Sequence, residues 1–256
     1  KASRTGMFEL TRINEQARGY LPTNAWLNTT LTSNMNINNT CNAFWNGTVN
    51  FYRDNGSTCR NTGEIAAVFD HEWGHGMDNN GVNPNIANPG EGIADVHSVL
   101  RLNDSCMGRG FRKTANCPGY GDACTACTGV RDTDWARRVS GVPHGIPWID
   151  ANCGAGPAPC GGGVHCEGAV VGESGWDLAQ RDLRGFAGSV FNYDLNTALE
   201  LSTRMFYIGS GPVVAWFTCT NPNGGCVATG GYLNVLAADD DNGNLADGTP
   251  HMTAIF

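Results

Sequence analysis

The chain has 256 residues, enough for one large domain or for two subdomains sharing a cleft, with ample core either way. Charged residues make up only 16% and the net charge is −8, which argues against a nucleic-acid or anionic-membrane partner. No apolar run approaches ~18 residues, so nothing is expected to span a bilayer.

In chain order, "GMFELTRINEQARGY" (6–20) places Phe8, Ile13, Ala17 and Tyr20 near helical spacing and reads as a surface helix. "CNAFWNGTVNFY" (41–52) is two β-prone runs around Asn46-Gly47, a strong signal for a hairpin with a tight type I′ turn. In "NTGEIAAVFDHEWGHGM" (61–77), Asn61 followed by Glu64 resembles a capping box ahead of a buried helix. A second helix is expected over "GEGIADVHSVLRLN" (90–103), then a Gly-, Pro- and Cys-rich region from 104 to 164 that is mostly loop. Helical patterns return at about 167–184, 194–208 and 230–237, and Thr249-Pro250 reads as an N-cap with Pro at the first helical position. Strands early and helices late make an α+β layout.

Eleven cysteines among abundant Gly and Asn point to an oxidising compartment. Local pairings are expected for Cys41–Cys59, for Cys219–Cys226, and twice among Cys106, Cys117, Cys124 and Cys127. Cys153, Cys160 and Cys166 then leave one thiol over, free or paired beyond Phe256. "CTAC" (124–127) has no second pair at zinc-ribbon spacing, which favours disulfides. Asn28, Asn38, Asn46, Asn55 and Asn103 stand in Asn-x-Ser/Thr triplets, as suits a secreted surface. The start at Lys1 shows no signal peptide and reads as a mature or excised form.

The densest chemistry lies in "HEWGHGMD" (71–78). His71 and His75 are four apart, so on a helix both imidazoles leave one face and can share a metal ion, with Glu72 beside it placed to hold a water. A catalytic zinc site needs a third protein ligand and an open position. The metzincin completion would put Gly at 78 and His at 81; Asp78 and Gly81 stand there instead. His97 is available, but Glu91 and Asp95 fit better. They are i and i+4 on "GEGIAD", so one carboxylate can bind zinc while the other accepts the free ring N–H of a ligand histidine.

His-Glu-x-x-His followed by Glu-x-x-x-Asp resembles the gluzincin metalloproteases. "HEWGHG", "GEGIAD" and the helix at 6–20 look closest to fungalysins, while "NAFWNG" resembles the thermolysin edge strand that lines the substrate cleft. "GGVHCEGAVVGESGWDLA" (162–179) combines a thermolysin-like Gly-Gly-Val-His with a fungalysin-like Gly-Glu-x-x-Trp. These matches fall in order from about residue 6 to 180.

The resemblance implies an α+β, thermolysin-like fold of two subdomains: residues 1–88 with the substrate hairpin and the His-Glu-x-x-His helix, and a mainly helical 89–256. It implies zinc on His71, His75 and Glu91, with Asp95 orienting His71. Glu72 would be the general base, His165 would donate to the oxyanion, and Asn42 with the Ala43 carbonyl would bind substrate backbone by strand addition. The implied activity is that of a secreted endopeptidase acting on an extended polypeptide, made with a propeptide. A gluzincin aminopeptidase is the enzyme alternative, but its Gly-x-Met-Glu-Asn motif is absent. An inactive, metal-stabilised adhesion module is the alternative from another class.

The chain departs from thermolysins at Gly90, where they carry Asn. It has no evident equivalent of their tyrosine oxyanion donor, and their substrate-gripping arginine corresponds to Arg137 or Arg138. "DDDNGNLADGTPH" (239–251) gathers Asp239, Asp240, Asp241, Asn242, Asn244 and Asp247. It reads as a Ca²⁺ loop or a solvated acidic turn, and calcium is common in gluzincins. His97, His144 and His251 are expected to serve structure.

Overall fold

A computed structural model describes residues 1–81, 90–156, 158–219 and 229–256. Helix α1 (Ala2–Tyr20) starts four residues ahead of the expected segment and buries Ile13 and Ala17. A three-stranded sheet follows in the order β1 (Ser33–Ile37), β3 (Val49–Tyr52), β2 (Ala43–Trp45). β1 runs parallel to β3 and β2 antiparallel to it. The hairpin forms where expected, but its turn differs. Trp45 pairs with Val49, leaving a three-residue connection in which Gly47 has positive φ and Asn46 does not, whereas a type I′ turn needs both. Asn46 instead accepts from Thr48 Oγ1 and Asn50 Nδ2, which draws the connection one residue wider.

Helix α2 (Ala66–Asn79) carries the His-Glu-x-x-His stretch. The expected capping box does not close over it. Asn61 caps a separate 3-10 turn, Thr62–Glu64, and Glu64 pairs with Lys1 Nζ at 2.9 Å. Helix α3 (Gly90–Leu102) lies against α2, and α5 (Val164–Gln180) against α3. Glycines set these close approaches. A Cβ on Gly74 would come within 2.8 Å of Ala94 Cα, and one on Gly168 within 2.8 Å of Glu91 Cβ.

Between α3 and α5 the chain forms a two-stranded ribbon, β4 (Cys106–Met107) with β5 (Arg131–Asp132), and a short helix α4 (Ile146–Asn152). Helices α6 (Leu195–Ser210), α7 (Gly231–Asp239) and α8 (Met252–Ile255) complete the fold. His251 takes the cap position of α8, two residues beyond the expected Thr249. The largest apolar cluster joins α3, α5, α6 and α7 through Ile93, Val96, Val171, Leu178, Met205, Phe206 and Val235. A second joins the hairpin to the start of α2 through Val49, Phe51, Val68 and Phe69. The architecture is α+β, and no helix among the described residues is long and apolar enough to cross a membrane.

Five disulfides link Cys41–Cys59, Cys106–Cys127, Cys117–Cys124, Cys153–Cys166 and Cys160–Cys219. The Cys219–Cys226 expectation is overturned, because Cys219 reaches across the fold to Cys160 in the loop before α5. Cys226 lies outside the described residues.

Candidate metal centre

One turn of α2 separates His71 from His75, and one turn of α3 separates Glu91 from Asp95. The Gly74–Ala94 contact presses these two turns together. His71 Nε2 stands 3.2 Å from His75 Nε2 and 3.1 Å from Glu91 Oε2, and His75 Nε2 is 3.5 Å from Glu91 Oε1. Tetrahedral zinc with bonds of about 2.0–2.1 Å needs ligand atoms roughly 3.3 Å apart. The three side chains are close enough to share one such ion, with Glu91 offering Oε2 towards His71 and Oε1 towards His75. Among the described residues the other cluster of metal-binding side chains is Cys117, Cys124 and Cys127, all held in disulfides.

Asp95, fully buried, faces His71 Nδ1 at 2.8 Å. On the other side of the ring, His71 Nε2 faces Glu91 Oε2 at 3.1 Å. Burial opposes protonation of His71, but Asp95 and Glu91 overcome it and push the imidazole up to about 10. A metal ion must therefore displace a proton there. Burial pushes the Glu72 carboxyl up, with His71 and His75 pulling the other way. Glu91 lies well below the usual carboxylate range: burial works against this, but hydrogen bonds from His71 and His75 prevail.

His165, on the first turn of α5, is half-exposed and places Nε2 3.2 Å from Glu91 Oε1. Burial lowers its pKa, which favours the neutral imidazole with one N–H to donate. Two features hold that turn in place. The Cys153–Cys166 bridge ties it to α4, and buried Glu167 accepts from Gly162 N at 2.6 Å.

Edge strand β2 borders the same cleft, which has a volume of about 760 Å³ and is lined by Asn42, Ala43, Trp45, His71, Glu72, His75, Glu91 and His165 among others. Tyr52 N donates to Asn42 O, so by antiparallel alternation Ala43 and Trp45 present their N–H and C=O groups to the free edge. Trp45 Nε1 donates to Asn79 Oδ1 at 2.5 Å, fastening the hairpin to the end of α2. Asn42 is exposed and at the cleft.

Two cleft residues escaped the sequence reading. Arg131 of β5, buried, grips Asp95 with Nε and with Nη2 at 2.8 Å, and reaches Glu91 Oε2 at 3.2 Å. Arg137 and Arg138 do not line the cleft. Arg137 is exposed beside Asp134, and Arg138 is buried against Glu173 and the carbonyl of Asp132. Tyr120 lines the cleft from a left-handed backbone (φ 56°) between Gly119 and Gly121, inside the Cys117–Cys124 loop. Residues 79–89, which hold no evident equivalent of the thermolysin-type tyrosine, lie outside the described residues from 82 to 89.

The remaining histidines are built into the fold. His97 stacks on Tyr207 with ring centroids 4.4 Å apart, and His144 lies between Asp122 at 2.9 Å and Glu173 at 2.7 Å. His251 Nδ1 meets Asp239 Oδ1 at 2.6 Å, and Thr249 Oγ1 donates to Oδ2 of the same carboxylate at 2.7 Å. In that loop Asn242 donates to Asp247, Asn244 caps a 3-10 turn, and Asp241 is exposed. No three carboxylate or imidazole groups of the described loop converge on a common point. No family model matches the chain, and no curated protein matches it.

Proposed function

We propose that this chain is a secreted, zinc-dependent endopeptidase of the gluzincin type, acting on extended polypeptides. The convergence of His71, His75 and Glu91 within reach of one ion, beside a sheet-edge strand, carries this reading. Zinc held by these three residues would supply a Lewis acid with one open position. Ala43 and Trp45 pair with the substrate main chain, and the Asn42 side chain meets it at the end of the edge. Glu72 takes the proton from the attacking water and delivers it to the departing amine; its burial-raised carboxyl suits both transfers. His165 donates its N–H to the oxygen on which charge develops. Asp95, neutralised by Arg131, holds the His71 ring in place. The five disulfides favour an oxidising, extracellular setting.

Quenched-peptide or casein cleavage should disappear in Glu72→Ala while that variant still binds one zinc by elemental analysis. Retention of activity would remove Glu72 as the base, and a wild-type chain without stoichiometric zinc would remove the site.

A further inference from the structure

The cleft wall contains a cation, Arg112, that makes no ion pair among the described residues. Arg112 lines the wall beside Thr58, Cys59 and Phe111. Its backbone is anchored on both sides: Arg112 N donates to Thr128 O at 2.7 Å, and the residue bridges to Cys59. Cys59 is disulfide-bonded to Cys41, which immediately precedes Asn42 and the start of β2. The Arg112 Nε is buried and has no hydrogen-bond partner. The other cleft arginine, Arg131, pairs with Asp95 and Glu91, and the adjacent Lys113 is taken by Asp54 at 2.5 Å. Among the described residues Arg112 makes no such ion pair.

Arg112 is part-buried and makes no ion pair, so the part of its guanidinium that lines the cleft can meet an incoming carboxylate through charge-assisted hydrogen bonds. An antiparallel strand added to β2 runs with its C-terminal end towards Asn42 and Cys41, the end at which Arg112 stands. Resting on the peptidase reading above, we infer that Arg112 selects substrates with a carboxylate on the C-terminal side of the cleaved bond. That carboxylate is either an Asp or Glu side chain or the end of the chain.

Equilibrium binding to the zinc-loaded Glu72→Ala protein tests this without turnover. The probes are labelled decapeptides, amidated, with Glu, Gln or Lys in the C-terminal half, and a Gln peptide with a free terminal carboxylate. The Glu peptide, the free-end peptide or both should bind about fivefold more tightly than the amidated Gln peptide. The free-end arm shows which carboxylate is read. Adding Arg112→Gln should abolish the preference, and Arg112→Glu should reverse it towards Lys. No preference in the Arg112 protein, or the same preference after Arg112→Gln, overturns the inference. Cleavage of the amidated Gln peptide by the wild type keeps that failure separate from failure of the peptidase reading. If no peptide is bound or cleaved, both readings fall.

Discussion

At the scale of single residues, the charge balance of the centre depends on Arg131. Helix α3 presents Glu91 and Asp95 one turn apart, and both lie below the usual carboxylate range despite burial, so two anions sit beside the histidines. Arg131 is the buried cation that faces both. Removing one partner of a buried ion pair typically costs about 3–5 kcal/mol. Arg131→Ala should lose stability of that order in urea unfolding and bind zinc roughly tenfold more weakly, because Asp95 no longer fixes His71. Arg131→Lys should restore charge without the two-pronged grip and recover only part of both. A stability change in Arg131→Ala within about 1 kcal/mol would mean that the buried carboxylates need no cation. The centre's helical residues were legible because their contacts follow a four-residue period. Arg131 was not, since it meets Asp95 across 36 positions from a Cys-rich stretch without periodicity. The available signal was the excess of negative charge on "GEGIAD", which calls for a cation without saying which one.

Among elements, the crossing of α2 and α3 sets the 3.1 and 3.5 Å separations of His71 and His75 from Glu91. Gly74 lies between His71 and His75 and touches the turn between Glu91 and Asp95. In Gly74→Ala, better helix propensity contributes about 1 kcal/mol, but the new methyl meets backbone, where overpacking costs about 1–3 kcal/mol. Net stability should change little while zinc affinity falls roughly tenfold, a separation visible by competitive chelator titration alongside urea unfolding. Gly19→Ala, with nothing within 4 Å of the added Cβ, is the control: it should stabilise α1 by about 0.5 kcal/mol and leave zinc affinity alone. Equal zinc affinity in both variants would show that the crossing has slack. Apolar periodicity placed the long helices to within a few residues, because burial on one face is a local pattern. The turn at Asn46 and the cap at Asn61 were misread for one reason. Their side chains took local partners that the motif templates leave out, Thr48 and Asn50 for the one and the immediately following 3-10 turn for the other.

Across the whole molecule, disulfides take over where apolar residues run out. Cys106, Cys117, Cys124 and Cys127 form a buried cluster by themselves, and Cys160–Cys219 ties the loop before α5 to the segment after α6. The helical core contains a titratable group that no bridge protects. His97 packs between Trp73 of α2 and Tyr207 of α6, and burial pushes it down from 6.5 to about 3. The unfolded chain therefore takes up this proton before the folded one does. Stability linked to His97 is complete above about pH 6.5 and is lost as pH falls towards 3, at about 1.36 kcal/mol per unit. Lowering the pH from 7 to 5 should cost the wild type about 2 kcal/mol more than His97→Leu, measured by urea unfolding with both proteins in the same zinc state. Comparing the two proteins cancels His71 and the acidic groups, which titrate alike in each. His71 acts with the opposite sign, since its raised value makes its contribution largest at low pH. Parallel losses in wild type and variant would mean that the core opens to water around His97 before the chain unfolds.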